Sequence, residues 1–355
     1  MLSRRIRSLL LPVIYLSAGY QFVRYYVSFP VFYLNLGAYL SGRERLPFQC
    51  RVLPIFLLSP LIHSRLVQRI AAGRYGPLHN PNRLAFFIVS LVAFAFVNFF
   101  CMKLYGVLSP TRRLSFLVFP VLLFSLIWTF VIHIEGNFSY PYDLISLAFF
   151  TAGLYFIYGR RFLPLVVVMI LGTLNRETTL FLIGIYILDA ASVDTASPAA
   201  QFRSRFNESQ ISWPRVLLLS AIWIGIKFSL SHLFAGNDRS EDFNRFHENL
   251  VRVVTPYYWP VFLNICGYLI PFVWIFRSRI RPQRFANYLY ILAPWVAVMF
   301  VSGVLVETRI YGELCTFAAI AIVLIFEQYI GDAGKPLIAG QTTATEVERT
   351  APAGI

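Results

Sequence analysis

The chain has 355 residues, of which 57% are hydrophobic and only 14% charged, and its mean hydropathy is +0.64. A soluble domain of this length has too little interior to hide so much apolar surface. The net charge of +14 does not signal nucleic acid, because no aromatic-basic module accompanies it and arginine-rich loops orient membrane proteins. The composition predicts an all-α polytopic transmembrane helical bundle of about 9–10 spans, with membrane lipid as its surroundings and no nucleic-acid partner.

Met1-Leu2-Ser3-Arg4-Arg5-Ile6-Arg7 precedes an apolar run, in the manner of a signal n-region. No small-residue cleavage site follows, so an uncleaved first span over 8–28 is expected. Residues 29–83 read as a long outer loop with interfacial helices. Within it, 52–64 is short and holds Pro54 and Pro60, which favours an interfacial or re-entrant helix over a crossing. Further spans are expected near 84–106, 114–133, 142–158, 214–235, 256–276, 286–306 and 311–330. Three of the four cysteines lie inside apolar runs, and no spacing suggests disulfides or a zinc site. Residues 1–330 read as one membrane domain, and 331–355 as a disordered cytoplasmic tail.

Two polar breaks interrupt the apolar sequence. One runs from His133 through Glu135 and Asn137 to Tyr140-Pro141-Tyr142-Asp143; the other is Thr173-Leu174-Asn175-Arg176-Glu177-Thr178-Thr179. Ionisable groups are costly at membrane depth and usually face a protein interior or a wet cavity. Arg277, Arg279, Arg281 and Arg284 form the densest basic loop, which the positive-inside rule puts in the cytoplasm. Arg112-Arg113, Arg160-Arg161 and the Arg203, Arg205 and Arg215 group share that side only if 162–189 enters and returns. A broken helical hairpin with Asn175-Arg176-Glu177 at its far tip is therefore expected. Lys227, deep in its span, should reach a carboxylate or a carbonyl.

This topology gathers Glu44, Glu135, Asp143, Glu177, Glu307 and Glu313 on the outer face, with Arg176, Arg309, Tyr140 and Tyr142 among them. Arginine grips phosphate bidentately, and a carboxylate serves as a base or holds a metal. Plainer roles stand beside these. Glu307-Thr308-Arg309 suits a local ion pair, Arg176 beside Glu177 suits a clasp for the hairpin, and Asp143 suits a helix first turn. Walker loops, nucleotide-binding glycine fingerprints, Gly-x-Ser-x-Gly and His-Glu-x-x-His are absent from the sequence.

Three segments carry a resemblance. They are Pro47-Phe48-Gln49-Cys50-Arg51-Val52-Leu53-Pro54, then Tyr142-Asp143-Leu144 with Leu174-Asn175-Arg176-Glu177-Thr178, and Glu307-Thr308-Arg309-Ile310-Tyr311-Gly312-Glu313-Leu314. In this order, over roughly residues 10–330, they resemble bacterial members of the GT-C superfamily of polyprenyl-phosphate-sugar-dependent glycosyltransferases. The resemblance implies transfer of a sugar from a polyprenyl-phosphate donor to an acceptor on the outer face of a bacterial inner membrane, with both termini cytoplasmic. It implies catalytic roles for Glu44, Glu135 and Asp143. It gives Arg51, Tyr142, Asn175, Arg176, Glu177, Glu307 and Arg309 to substrate binding. A divalent cation between carboxylate and phosphate stays open as a cofactor. Glu44 departs from the superfamily pattern, being a single acid between Arg43 and Arg45. Two other functions stay open: a transporter or flippase for a lipid-linked or anionic substrate, and a non-catalytic membrane assembly subunit.

Overall fold

The structure, a computed structural model, describes residues 4–29, 34–73, 76–132, 138–192, 211–240 and 244–333. Its helices are α1 (Arg4–Ser28), α2 (Leu53–His63), α3 (Pro81–Leu108), α4 (Ser115–Phe130), α5 (Asp143–Tyr158), α6 (Phe162–Asn175) and α7 (Leu180–Ala191). They continue as α8 (Trp213–Leu233), α9 (Phe246–Val254), α10 (Leu292–Ser302) and α11 (Cys315–Ala333), joined by shorter helical turns. No strand occurs among the described residues.

Four stretches are long and apolar enough to cross a membrane: Pro81–Leu108, Trp213–Leu233, Gln283–Ser302 and Thr308–Asp332. They mark the chain as a membrane protein. Two other expected crossings, α4 and α5, appear as shorter apolar helices. α1 is 25 residues long and carries Pro12 within it. Residues 52–64 form an 11-residue helix, too short to span alone.

The expected span 256–276 is corrected. It is a 3-10 turn (Pro256–Tyr258), a five-residue helix (Trp259–Leu263), a break, and a seven-residue helix (Leu269–Ile275). Pro256, Pro260 and Pro271 remove amide donors from the helical ladder. Cys266, Gly267 and Tyr268 all take positive φ. Gly267 is doubly required, because a Cβ there would sit 2.9 Å from the Trp128 Cβ.

α5 is the central helix. It packs along α3 on one side and α6 on another, and α11 packs along α4. Local signals set its limits: Pro141 and Asp143 open it, and Gly159 with left-handed Arg160 closes it. α3 begins where Asn80 accepts the Asn82 amide and Pro81 takes the first helical position. Arg83 donates to the Val27 and Phe29 carbonyls at the end of α1.

The 162–189 segment is the predicted helical hairpin. Its tip residues Asn175 and Arg176 reach Tyr142 and Asp143, at the start of α5. Its far end returns to the other end of α5, where Arg284 bridges Asp189 and the Tyr158 carbonyl. Both arms lean on α5 and α8. The 331–355 tail is described only to residue 333, where it continues α11; the rest lies outside the described residues.

Candidate functional site

The charged side chains at the Asp143 end come from helix ends and breaks. Arg51 follows a 3-10 turn (Phe48–Cys50), and Asp143 occupies the first turn of α5. Arg176 is the extended residue between α6 and the 3-10 turn Glu177–Thr179 (φ −161°, ψ 140°). Arg309 sits in the long 3-10 segment Thr308–Leu314 that precedes α11. Each break ends a regular ladder, and that leaves a side chain free to turn inward.

Arg176 lies at the centre. Its Nη1 is 3.5 Å from Asp143 Oδ1 and 3.3 Å from Glu313 Oε1. The hydroxyls of Ser146 and Thr178 donate to the same Glu313 oxygen, each at 2.7 Å. The Tyr26 hydroxyl lies 3.0 Å from Asp143 Oδ2, 2.9 Å from the Tyr140 carbonyl, and accepts the Tyr140 amide. The Asn175 amide donates to the Tyr142 carbonyl at 3.0 Å. Arg176, Asp143 and Glu313 are all buried, so their mutual neutralisation is a condition of folding rather than a surface decoration.

Aromatic rings tie the other two arginines to this centre. Arg51 lies 4.2 Å over the Tyr142 ring, and Arg176 lies 5.9 Å from the same ring. Tyr142 stacks on Tyr140, which stacks on Phe48. Arg309 sits 4.0 Å over the Tyr140 ring, and its charge also acts on Asp143. Cation–π contacts of this kind hold guanidinium planes in fixed orientation.

The neighbours Arg176 and Glu177 do not clasp one another as expected. They point to different partners: Glu177 pairs with Arg51 through Oε1 at 2.8 Å and Oε2 at 3.4 Å. Glu307 and Arg309 do form the expected local pair, with Nη2 at 2.9 Å from Glu307 Oε2. Lys227 makes no ion pair within 4.0 Å among the described residues, although its charge acts on Glu177.

Glu177 lies in the turn between the hairpin arms. Burial disfavours its ionised form, but the Arg51 guanidinium and then the Lys227 ammonium more than offset this and hold its pKa well below the usual carboxylate range. A carboxyl whose pKa is depressed by folding adds stability above its ordinary value and loses it below. Thermal stability of wild type should therefore fall more steeply than that of Glu177→Gln as pH drops below about 4.5. Parallel acid profiles in detergent melts would remove Glu177 from the acid response.

Glu44 stands apart from this network. Its buried carboxylate accepts the amides of Asn35 at 2.8 Å and Arg45 at 3.2 Å. The Asn237 side chain donates to its carbonyl and to that of Gly42. These contacts sew its loop together, and none of them reaches Arg51, Arg176 or Arg309. Glu135 lies outside the described residues. Of the two expected catalytic acids among the described residues, Asp143 joins the arginine cluster and Glu44 does not.

Sequence reasoning missed Tyr26 and Ser146, which carry no local signal of a site, and gave Thr178 no role although it lies in the second polar break. Glu313 was legible as an acid on the same face, but nothing in its spacing revealed that it shares Arg176 with Asp143. Among the described residues no three His, Cys, Asp or Glu side chains come together as a metal site. Arg176 already contacts both Asp143 and Glu313, the place where a bridging cation would stand. At this cluster the described residues do not fit a divalent cation.

Five buried polar atoms in this neighbourhood have no hydrogen-bond partner among the described residues: Tyr140 Oη, Asn175 Oδ1, Arg176 Nε, Arg309 Nη1 and Glu313 Oε2. Each unmet buried group costs roughly 1–3 kcal/mol. Native interiors hold few of them, and these five group around one contact network. No protein-family profile, curated protein or solved structure matches the chain.

Proposed function

We propose that the protein is a membrane glycosyltransferase of the GT-C kind, with a long first outer loop, acting on a polyprenyl-phosphate sugar at the outer face of a bacterial inner membrane. The observation that carries this reading is the set of five polar atoms, on Tyr140, Asn175, Arg176, Arg309 and Glu313, that have no partner among the described residues. They offer donors to a phosphate and both donors and acceptors to sugar hydroxyls. In the reaction, the acceptor oxygen bonds to the anomeric carbon as the carbon–oxygen bond to phosphate breaks. The acceptor proton passes to the Asp143 carboxylate. The polyprenyl phosphate leaves with its negative charge on the arginines, whose fixed guanidinium planes need no reorganisation.

The test is release of polyprenyl phosphate from a labelled polyprenyl-phosphate sugar, with membranes supplying the acceptor. Asp143→Asn should slow release by about 10²–10⁴-fold, the usual contribution of a positioned base. It should keep the wild-type elution profile. Wild-type turnover unchanged by Asp143→Asn would overturn the assignment of the base.

One observation favours a second reading. Asp143, Glu177, Glu307 and Glu313 each already have an arginine partner, as expected of a non-catalytic subunit whose charges join helices. Absence of turnover by wild type, with loss of folded protein on every charge substitution, would select it.

A further inference from the structure

At the opposite end of α5 lies a cavity of about 150 Å³, well above the roughly 10–15 Å³ that one water needs on the same measure. Arg160, Arg161, Phe162, Asp189, Ser212 and Arg215 are among the residues lining it. Asp189 is already engaged: Arg284 holds both of its oxygens, and the Tyr288 hydroxyl donates to it as well. Arg160, Arg161 and Arg215 are exposed and have no ion pair among the described residues. Arg161 lies over Tyr155 at 5.4 Å, and Arg215 over Phe162 at 4.9 Å. Aromatic faces thus hold two of the three guanidinium groups at the rim while leaving their donors free.

Two further features favour an anion here. Arg161 occupies the N-cap position of α6 and Ser212 that of α8, neither with a side-chain capping bond, so the positive ends of a 14-residue and a 21-residue helix meet at one cavity. Beside it, Leu163 and Val167 of α6 and Leu217 and Leu218 of α8 are exposed apolar side chains on two helices that pack together. A free anion has no use for that surface, whereas acyl chains do.

We infer that this cavity holds the phosphate of an anionic phospholipid, with Arg160, Arg161 and Arg215 as its ligands and the lipid tails along α6 and α8. The site is separate from the Asp143 cluster and does not depend on the chemistry proposed there. It would anchor the open end of the hairpin to one leaflet.

The test reconstitutes the full chain in bilayers of equal phosphatidylglycerol and phosphatidylcholine, extracts it, and measures retained lipid by mass spectrometry. Wild type should retain phosphatidylglycerol preferentially. The triple variant R160Q/R161Q/R215Q should lose that preference. Each arginine near an anionic headgroup contributes about fivefold, so the three together account for on the order of a hundredfold. R65Q/R69Q/R113Q removes three exposed arginines elsewhere and should retain the lipid as wild type does. Equal loss in the two triple variants, or equal retention of the two lipids by wild type, overturns the site. Stabilisation by inorganic phosphate without lipid preference would overturn the lipid and assign the cavity to free phosphate. A triple variant that does not fold would be replaced by R215Q alone, for which about fivefold weaker retention is expected and unchanged retention overturns the site.

Discussion

Arg176→Leu should leave the protein largely unfolded or aggregated. One guanidinium nitrogen faces both Asp143 and Glu313, and all three residues are buried. Removing it leaves two carboxylates with a shared loss of countercharge. Breaking a buried pair by deleting one partner costs about 3–5 kcal/mol, a large part of the stability of most proteins. The hydroxyls of Ser146, Thr178 and Tyr26 would still donate to the acids, but they carry no charge. The triple variant R176L/D143N/E313Q should recover much of the loss, because it removes the stranded charges with the cation. Folded yield after detergent extraction, read by size-exclusion profile and melting temperature, distinguishes these outcomes. A well-folded Arg176→Leu protein would show that neither acid needs the arginine.

Trp295→Ala should be the most damaging substitution in the apolar core. The Trp295 side chain is fully buried, stacks on Phe181 of α7 at 4.0 Å and meets Phe150 of α5 edge-on at 5.6 Å. Its indole nitrogen donates to the Ile310 carbonyl, in the 3-10 segment that carries Arg309. It therefore joins α10 to the hairpin, to the central helix and to the charged site. In lipid the transfer contribution shrinks, but close packing is still lost. Truncation of a buried tryptophan costs roughly 3–5 kcal/mol, most of it from the cavity left behind. The melting temperature should drop by roughly 10 °C, and Trp295→Phe should recover about half. A drop under a few degrees for the alanine variant would mean that the neighbours collapse into the space.

The two substitutions act on different kinds of information. The apolar helices were legible because each is a local property: a run of about 20 apolar residues has few other places to go. The hairpin at 162–189 was legible for a related reason. Arginines in short loops have to share one side, and only a returning segment lets them do so. Pro141-Tyr142-Asp143 likewise announced a helix start that the structure contains. The span over 256–276 was misread because mean hydropathy outweighed Pro256, Pro260, Gly267 and Pro271, which set backbone geometry whatever the polarity.

The helical and apolar character of the chain, the gathering of charges at helix breaks and the turn of the hairpin at Asn175-Arg176-Glu177 are all written locally in the residues. Those conclusions follow from composition, loop charge and short-range steric rules. Only the tertiary structure decided which charges meet. Arg176 joins Asp143 and Glu313, which lie 33 and 137 residues away, while its neighbour Glu177 turns to Arg51, 126 residues away. Glu44 binds its own loop instead, although the resemblance gave it a catalytic role beside Asp143. Pairing of buried charges depends on which helix ends are stacked at one level of the bundle. Side-chain packing along α5 sets that level, and no spacing within the sequence encodes it.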